Sequence, residues 1–366
     1  MSKLTLKVLA LCAMALCACS EDPEIPSGDQ QGDPLPSKNY TGMFILNEGA
    51  YGQNNARLDY LDFETGNYYE NLYDQANPGV VMGLGDIGND LQLHQGRLYA
   101  VVNGSHKVEV MSASDAKRIG QVEVSSPRNI AFSNGKGYVT SWVDNGADNG
   151  SVVEFDLETL EVTRTVSVGQ EPEGIAVLDG KLYVACSGGM HSPNYSSELW
   201  ELSLPGLTVE NKITVAPNLH RLQANGGALW VSARGNYADI SSGLFKVEGG
   251  EVKALGVPCA GFALSPSKVY YYASEWSNAT MSFAMAYGTF DRPSLTAGAS
   301  FITDGTQADI AAPYGVFTDG ESVFLTDAKN YVSSGALYVY GLDGKLQQTF
   351  KTGICPSSVA FVEKNK

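Results

Sequence analysis

Cysteine is scarce in this chain, and histidine is scarcer still. Three of the six cysteines lie near the N-terminus, and the three that follow residue 19 are widely spaced: Cys186, Cys259 and Cys355. An odd number cannot all pair, and none has metal-site spacing, so we expect buried free thiols, with one disulfide as the alternative. The four histidines include no pair at a metal-binding spacing such as H-x-x-x-H, which favours hydrogen bonding or stacking over metal ligation.

Positive charge is also in short supply. The sequence has 24 lysine and arginine residues against 40 aspartate and glutamate residues, which gives a net charge of −16. Nucleic acids and anionic lipids are bound through clusters of basic side chains, so neither is an expected partner. The sequence also lacks a Ser-His-Asp arrangement, a nucleophile elbow and a phosphate-binding loop, and we do not expect an enzyme.

One loop has the oxygen-rich composition of a calcium site. Residues 144–150, Asp-Asn-Gly-Ala-Asp-Asn-Gly, place carboxylates and amides at alternating positions. The loop lacks a closing bidentate glutamate, and the same residue types form ordinary turns. Asp144 and Asp148 are therefore only weak candidates for metal ligands, and no cofactor is expected.

The first 18 residues have the composition of a secretory signal. Lys3 and Lys7 precede an apolar run, residues 8–16, that is about half of the ~20 residues needed to span a membrane. The sequence Leu-Cys-Ala-Cys that ends at Cys19 matches a bacterial lipobox, in which the thiol of Cys19 takes the lipid. We expect cleavage of residues 1–18 and a lipid anchor on Cys19; an ordinary cleaved signal is the alternative.

Residues 19–39 are rich in Pro, Gly, Ser and Gln, which predicts a flexible tether. An acidic run, residues 21–24, follows the cysteine directly and resembles the surface-export signal of lipoproteins from Bacteroidetes-type bacteria. Solvated linker charge is the alternative interpretation. The expected location is the outer membrane, exposed at the cell surface, with membrane contact through the lipid anchor only.

Residues 40–366 contain a repeated motif, seen most clearly in Pro-Arg-Asn-Ile-Ala (127–131), Pro-Glu-Gly-Ile-Ala (172–176) and Pro-Ser-Ser-Val-Ala (356–360). Each of the first six copies is followed by a turn and a second strand. Four strands per ~40–50 residues is the repeat of a β-propeller blade, so we predict an all-β, seven-bladed propeller. The hydrophobic anchors of the seven copies are Leu91, Ile130, Ile175, Leu222, Phe262, Val316 and Val359.

The chain ends predict how the ring closes. The last anchor, Val359, has only its own strand, whereas the first apolar segment, residues 43–47, has no anchor strand ahead of it. Pairing of residues 358–362 with 43–47 would complete a blade and remove two exposed sheet edges. A β-helix is the main alternative, but its repeats are shorter and need no such pairing.

One face of the predicted propeller carries long loops. Strands alternate in direction, so connections from second to third strands share a face with the blade-to-blade connections, while the opposite turns are tight, as at Asn134-Gly135. Long loops with large side chains usually carry binding sites. The predicted ligand-binding residues are Tyr51, Arg128, Trp142, Glu173, Tyr195, His220, Arg234, Tyr237, Trp276, Tyr314 and Tyr331.

Two stretches resemble the opening blades of a family of surface propeller lipoproteins: residues 44–49 with 57–62, and residues 83–90 with 96–103. The Pro-x-Gly-Ile-Ala repeats resemble the wider YncE-like propellers, so the similarity covers nearly the whole mature chain. The cobalamin-capturing, BtuG-type members imply a function for the long-loop face. It would bind vitamin B12 or another corrinoid as a ligand and hand it to a TonB-dependent outer-membrane transporter.

Two other functions are compatible with the same residues. The first is a non-catalytic scaffold for protein–protein interaction in an outer-membrane complex. The second is a metal-dependent propeller lyase or lactonase with Glu173 as a general base near the axis. Such enzymes usually place several Glu, Asp and Asn residues around the channel, whereas the other axial positions here are mixed Arg, His, Ala, Tyr and Ser. Ligand capture is therefore the favoured hypothesis.

Overall fold

Residues 29–35, 37–143, 148–277 and 281–364 are described by the computed structural model of the protein. Their strands form seven antiparallel sheets, which are the blades of a propeller. The innermost strand of each blade contacts the innermost strand of the next, so the blades surround a central axis. The all-β, seven-bladed propeller predicted from the sequence is confirmed.

The first four blades are built from the first sixteen strands plus one strand from the C-terminus. Blade 1 contains β1 Gln30–Gln31, β2 Tyr40–Asn47, β3 Arg57–Asp62 and β4 Asn67–Tyr69, and the helix α1 Leu72–Ala76 follows it. Blade 2 contains β5 Gly88–His94, β6 Arg97–Val102, β7 Lys107–Ser112 and β8 Arg118–Glu123. Blades 3 and 4 contain β9 Pro127–Ser133, β10 Lys136–Ser141, β11 Gly150–Asp156, β12 Val162–Val168, β13 Pro172–Leu178, β14 Lys181–Cys186, β15 Glu198–Ser203 and β16 Thr208–Thr214.

The last three blades follow the same pattern. Blade 5 contains β17 Leu219–Asn225, β18 Ala228–Ala233, β19 Gly243–Glu248 and β20 Glu251–Ala254. Blade 6 contains β21 Gly261–Leu264, β22 Lys268–Ser277, β23 Ser282–Asp291 and β24 Thr296–Ala297. A short 3-10 helix, Thr306–Asp309, precedes blade 7, which contains β25 Pro313–Thr318, β26 Ser322–Asp327, β27 Ala336–Gly341 and β28 Leu346–Lys351. The final strand, β29 Pro356–Glu363, returns to blade 1.

The ring closes between the two ends of the described chain. Strand β29 pairs antiparallel with β2, with Ile45 opposite Val359 and Phe44 opposite Ala360. Strand β29 is thereby the innermost strand of blade 1, as the sequence predicted. Because β29 covers the inner edge of β2, that strand is paired on both sides and is not left as an exposed edge.

The core lies in layers between neighbouring blades. Six of the seven predicted anchors are buried, and Val359 is partly buried. Alternate residues of each strand complete the layers; for example, Tyr99 and Val101 of blade 2 pack with Val139 and Phe155 of blade 3. Burying one such side chain stabilises the fold by roughly 1.5–3 kcal/mol, which makes each blade dependent on its neighbours.

The turns on one face are as tight as the sequence predicts. Asn134 (φ 51°) and Gly135 (φ 73°) are the two residues between β9 and β10. Two successive residues with positive φ form a type I′ turn, which asparagine and glycine tolerate best. Such turns leave little surface for ligand contacts, so they direct attention to the opposite face.

The N-terminal boundary of the propeller lies earlier than the sequence predicted. The predicted tether extends to residue 39, whereas Gln30 and Gln31 form a strand against β4, and Leu35 is buried beside Tyr68 and Phe350. The side chain of Gln30 also donates to the carbonyl of Lys351 (2.7 Å). The second half of the predicted tether is therefore part of the folded unit. Residues 1–28, including Cys19, lie outside the described residues.

The three cysteines beyond residue 19 are free and buried: Cys186, Cys259 and Cys355. Burial raises the pKa of each thiol, so all three are protonated at neutral pH. The prediction of buried free thiols is confirmed. Within the ranges that the structure describes, no helix has the length and apolar character needed to cross a membrane.

Candidate functional site

The seven copies of the repeated motif converge on one cavity at the propeller axis. In every copy, the second residue of the motif lies at the start of an innermost strand or directly before it, and all seven of these residues line a cavity of about 300 Å³. We call it the axial cavity. The residues that converge there, one per blade, are Asn89, Arg128, Glu173, His220, Ala260, Tyr314 and Ser357.

Arg128 and Glu173 form the best-connected pair in the axial cavity. Arg128 Nε and Nη2 donate to the two carboxylate oxygens of Glu173 at 3.0 and 3.3 Å, and Nη1 donates to Asn89 Oδ1 at 2.9 Å. Arg234 Nη1 lies 3.7 Å from Glu173 Oε1. The guanidinium of Arg128 also lies 4.5 Å from the ring centroid of Trp142, a cation–π contact. The Glu173 side chain is only 1% exposed, so its charge is balanced locally by arginine.

A second pair faces the cavity from blades 1 and 7. The phenol of Tyr314 donates to the carboxylate of Glu48, and Asn89 Nδ2 donates to the other carboxylate oxygen at 3.4 Å. Burial raises the pKa of Glu48, although the hydrogen bond from Tyr314 and the nearby arginines oppose the shift. Burial and the Glu48 charge raise the pKa of Tyr314. Glu48 was not predicted, because it lies outside the repeated motif and reaches the axis only through the packing of blade 1.

His220 and Arg221 are under-used as hydrogen-bonding groups. Burial and the neighbouring arginines lower the pKa of His220 well below 6.5, so the imidazole is neutral at neutral pH. Its buried Nδ1 has no hydrogen-bond partner among the described residues. The guanidinium of Arg221 makes one long side-chain hydrogen bond there, from Nη2 to the carbonyl of Ser357 at 3.4 Å. Buried polar groups normally have partners, so these two groups have hydrogen-bonding capacity that a ligand could use.

A second cavity adjoins the first. We call this second cavity, of about 620 Å³, the side cleft; it lies between the loop 48–56 of blade 1 and the loop 328–335 of blade 7. It shares Glu48, Tyr314 and Tyr331 with the axial cavity. The rings of Tyr314 and Tyr331 meet edge to face, with centroids 6.0 Å apart, and Tyr51 lines the outer end. The two cavities thus form one recess that runs from the axis towards the rim.

Exposed apolar side chains are concentrated on the long-loop face. Of the seventeen large hydrophobic side chains that are exposed in the described residues, five lie on outermost strands or on the opposite turns. Exposed apolar surface is often found at interaction sites, which favours binding on this face. The twelve on the long-loop face are Tyr51, Val81, Met82, Val143, Met190, Tyr237, Ile240, Trp276, Met281, Phe283, Tyr331 and Val332.

The predicted site residues fall into two groups. Arg128, Glu173, His220, Arg234, Tyr314 and Tyr331 line the axial cavity, and Tyr51 lines the side cleft. Trp142 lines neither cavity but packs on Arg128. The remaining predicted residues, Tyr195, Tyr237 and Trp276, line neither cavity. The ring centroids of Tyr195 and Tyr237 lie 6.0 Å apart at the rim.

The sequence predicts a loop at residues 274–280, but Trp276 lies in a strand. Strand β22 continues to Ser277 and pairs with β23 over ten residues, so Trp276 stands opposite Phe283 in a projecting hairpin. Their ring centroids are 5.3 Å apart. The alternation of residues along a β-strand continues past the end of the blade and brings both rings to one side of the hairpin.

The weak calcium candidate falls partly outside the described residues. Asp144 lies outside the described residues, and Asp148 is exposed. Among the residues that are described, no group of three or more His, Cys, Asp or Glu side chains is arranged to hold a metal ion.

Comparisons with known proteins agree with the architecture. The sequence model of a family described as a domain of unknown function (DUF5074) matches residues 41–284, a range that includes the axial residues from Asn89 to Ala260. No protein with a curated description matches the chain.

Among solved structures, a quinonprotein alcohol dehydrogenase-like protein from Bacteroides thetaiotaomicron superposes with a TM-score of 0.62 at 14% identity, covering 88% of this chain and 79% of that one. Hydrazine synthase from Kuenenia stuttgartiensis gives 0.60 at 15% identity, covering 75% and 89%. Apo AztD from Citrobacter koseri gives 0.54 at 12% identity, covering 89% and 99%. At these identities the likeness shows the fold alone.

Proposed function

The chain belongs to the family described as a domain of unknown function (DUF5074), and because that description assigns no activity, we propose a function from the site itself. The protein captures a small ligand on the long-loop face, over the axial cavity and the side cleft, without transforming it. The favoured ligand is a corrinoid such as vitamin B12, which the protein would hand to a TonB-dependent outer-membrane transporter.

The convergence of seven blades on one polar recess carries this proposal. Charged and polar side chains are costly to bury unless they are paired or hydrogen-bonded. An axis that served only to hold the ring together could be filled with apolar side chains, as the layers between blades are. Instead, it contains charged groups with unused hydrogen-bonding capacity, including His220 Nδ1 and Arg221. A ligand that completes these hydrogen bonds would explain why they are there.

The shape of the recess suits a broad ligand. The axial cavity of about 300 Å³ is smaller than a corrinoid, so a corrinoid would lie across its mouth and extend into the side cleft. Tyr51 and Tyr331 are 84% and 54% exposed and offer flat apolar surface there. Amide groups at the edge of the ligand would reach the polar side chains of the recess. Binding sites commonly combine aromatic walls with a few polar groups in this way.

The sequence of residues 1–28 supports the proposed location. The lipobox that ends at Cys19 and the acidic run after it fit a lipoprotein exposed on the outer membrane. The folded unit begins by residue 29, so about ten residues would separate the lipid from the propeller. A tether of that length would keep the propeller close to a membrane partner and raise their effective concentration.

A second candidate function has its own observation. The hairpin β22–β23 projects beyond the blade and exposes Trp276, Met281 and Phe283 (50%, 71% and 58%). Aromatic and methionine side chains are enriched at protein interfaces, so this hairpin would suit a scaffold for an outer-membrane complex. By contrast, a metal-dependent lyase or lactonase needs carboxylates that are free to bind a cation, and arginine donors engage both oxygens of Glu173.

Calorimetric titration of the lipid-free chain, residues 20–366, with cyanocobalamin tests the proposal. We expect saturable heat at one ligand per chain, and co-elution of the red ligand with the protein on gel filtration. The Leu342→Ala variant, which removes an exposed side chain from the opposite face, should bind equally well. If no heat and no co-elution are observed, the corrinoid proposal is wrong and the scaffold function becomes the better one.

A further inference from the structure

We propose that the axial cavity receives an anionic group, a carboxylate or a phosphate, which Arg221 and Arg234 bind through their guanidinium N–H groups. This inference rests on the proposed ligand-binding function and names the chemistry of one part of the ligand. It concerns the polar end of the recess, whereas the aromatic side cleft would contact the rest of the ligand.

The charge of the axial cavity is the first observation. Three arginines line it, Arg128, Arg221 and Arg234, against two carboxylates, Glu48 and Glu173. The cavity is therefore positive even when both carboxylates are ionised. The whole chain has a net charge of −16, so this positive cavity contrasts with the rest of the molecule. A positively charged cavity attracts a negatively charged ligand group, even when the rest of the protein surface is negative.

The hydrogen-bond inventory is the second observation. A guanidinium has five N–H donors. Arg128 uses three of its N–H groups on Glu173 and Asn89. By contrast, the side chain of Arg221 makes one bond, of 3.4 Å, and the contact of Arg234 with Glu173 is 3.7 Å long. Arg221 and Arg234 therefore retain donors that a planar or tetrahedral anion could accept in pairs.

His220 supplies an independent third observation. It directly precedes Arg221 in the sequence and lines the same cavity, and its buried Nδ1 has no partner among the described residues. Burial and the nearby arginines hold the imidazole neutral at neutral pH. The imidazole therefore adds no charge to the cavity, and its unpaired Nδ1 is a buried polar atom that a bound ligand group can contact. A cation would gain nothing here, because the Glu48 carboxylate accepts from Tyr314 and Asn89, and arginine donors occupy Glu173.

Two small anions test the inference without any assumption about the larger ligand. Inorganic phosphate is followed by broadening of its 31P resonance, and acetate by saturation-transfer difference NMR, both with residues 20–366 at fixed ionic strength. We expect saturable binding of at least one anion. The anion that binds more tightly shows whether the ligand group is a phosphate or a carboxylate. Absence of saturable binding for both would overturn the inference.

Variants assign the binding to the axial cavity. The double variant Arg221→Gln/Arg234→Gln should weaken anion binding by about tenfold or more, because each charge-assisted hydrogen bond is strong. Arg164→Gln is the matched control: it removes an arginine from the outermost strand of blade 3 and should change nothing. Arg221→Lys keeps the charge without the paired donors, and we expect intermediate weakening. Equal binding by the wild type and the double variant would refute the assignment.

Failure of the anion-site proposal can be distinguished from failure of the corrinoid proposal. If the anions bind as predicted but cyanocobalamin does not, the axial anion site stands and the corrinoid is the wrong ligand. If cyanocobalamin binds, and the double variant neither weakens it nor loses anion binding, the capture function stands and the anion site is refuted. Circular dichroism of each variant confirms that the propeller is intact before either conclusion is drawn.

Discussion

Replacing Glu173 by glutamine tests the electrostatic account of the axial cavity. The substitution keeps the volume of the side chain but leaves the guanidinium of Arg128, whose side chain is 15% exposed, without its counter-charge. Removing one partner of a buried ion pair costs roughly 3–5 kcal/mol. The amide oxygen of glutamine still accepts one N–H, so we expect a loss at the low end, about 3 kcal/mol in the free energy of unfolding.

Urea denaturation followed by tryptophan fluorescence measures this loss. The matched control is Lys136→Gln, which removes an ion pair of the same 3.0 Å length from a site where both side chains are about 30% exposed. Exposed pairs contribute roughly 0–1 kcal/mol, so the control should lose little. The double variant Arg128→Met/Glu173→Met leaves neither charge buried and should be more stable than Glu173→Gln. Equal losses for Glu173→Gln and the control would refute the account.

Three further predictions concern pH, ring closure and the ligand face. Because the folded-state pKa of His220 lies well below 6.5, the unfolded chain takes up the proton first; stability is complete above about pH 6.5 and falls as the pH is lowered below it. Urea midpoints between pH 5 and 7 should therefore rise with pH, and His220→Gln should flatten that slope; an unchanged slope would show that the imidazole is not kept neutral. Ending the chain at Cys355 removes β29 and exposes the edge of β2, so we expect loss of the cooperative melting transition, whereas removal of residues 365–366 should leave it unchanged. Finally, Tyr331→Ala should weaken cyanocobalamin binding by about 1–2 kcal/mol in calorimetry, and a change no larger than that of Leu342→Ala would exclude Tyr331 as a contact.

The repeated motif is sufficient to predict which residues lie at the axis, because every blade contains one copy of it. The position after the first residue of each motif recurs seven times, and the ring geometry brings all seven copies to one cavity. The same regularity predicted the closing pair of β29 and β2, since two incomplete ends need each other. Features that the topology repeats can be predicted even when individual copies are degraded, as at Leu219–Leu222 and Cys259–Phe262.

Features that occur only once in the chain cannot be predicted from the repeated motif. Glu48 follows β2 outside the motif, and only the packing of blade 1 against blades 2 and 7 brings it to the axis. Leu35 is a single apolar residue in a Pro-, Gly- and Gln-rich segment, so its burial against blades 1 and 7 left no periodic signal. The sequence predicts a loop at the end of the β22–β23 hairpin, because these strands are longer than the other strands of the blade. Tertiary context decided each of these cases.

The central claim is that the ligand binds over the axial cavity on the long-loop face. Hydrogen–deuterium exchange of residues 20–366, with and without saturating cyanocobalamin, tests it most directly. The account predicts slower exchange in the loops 48–56 and 328–335 and at the starts of the innermost strands, with no change in the turns at 134–135 and 179–180. Protection confined to those turns, or no protection while the ligand is bound, would contradict it.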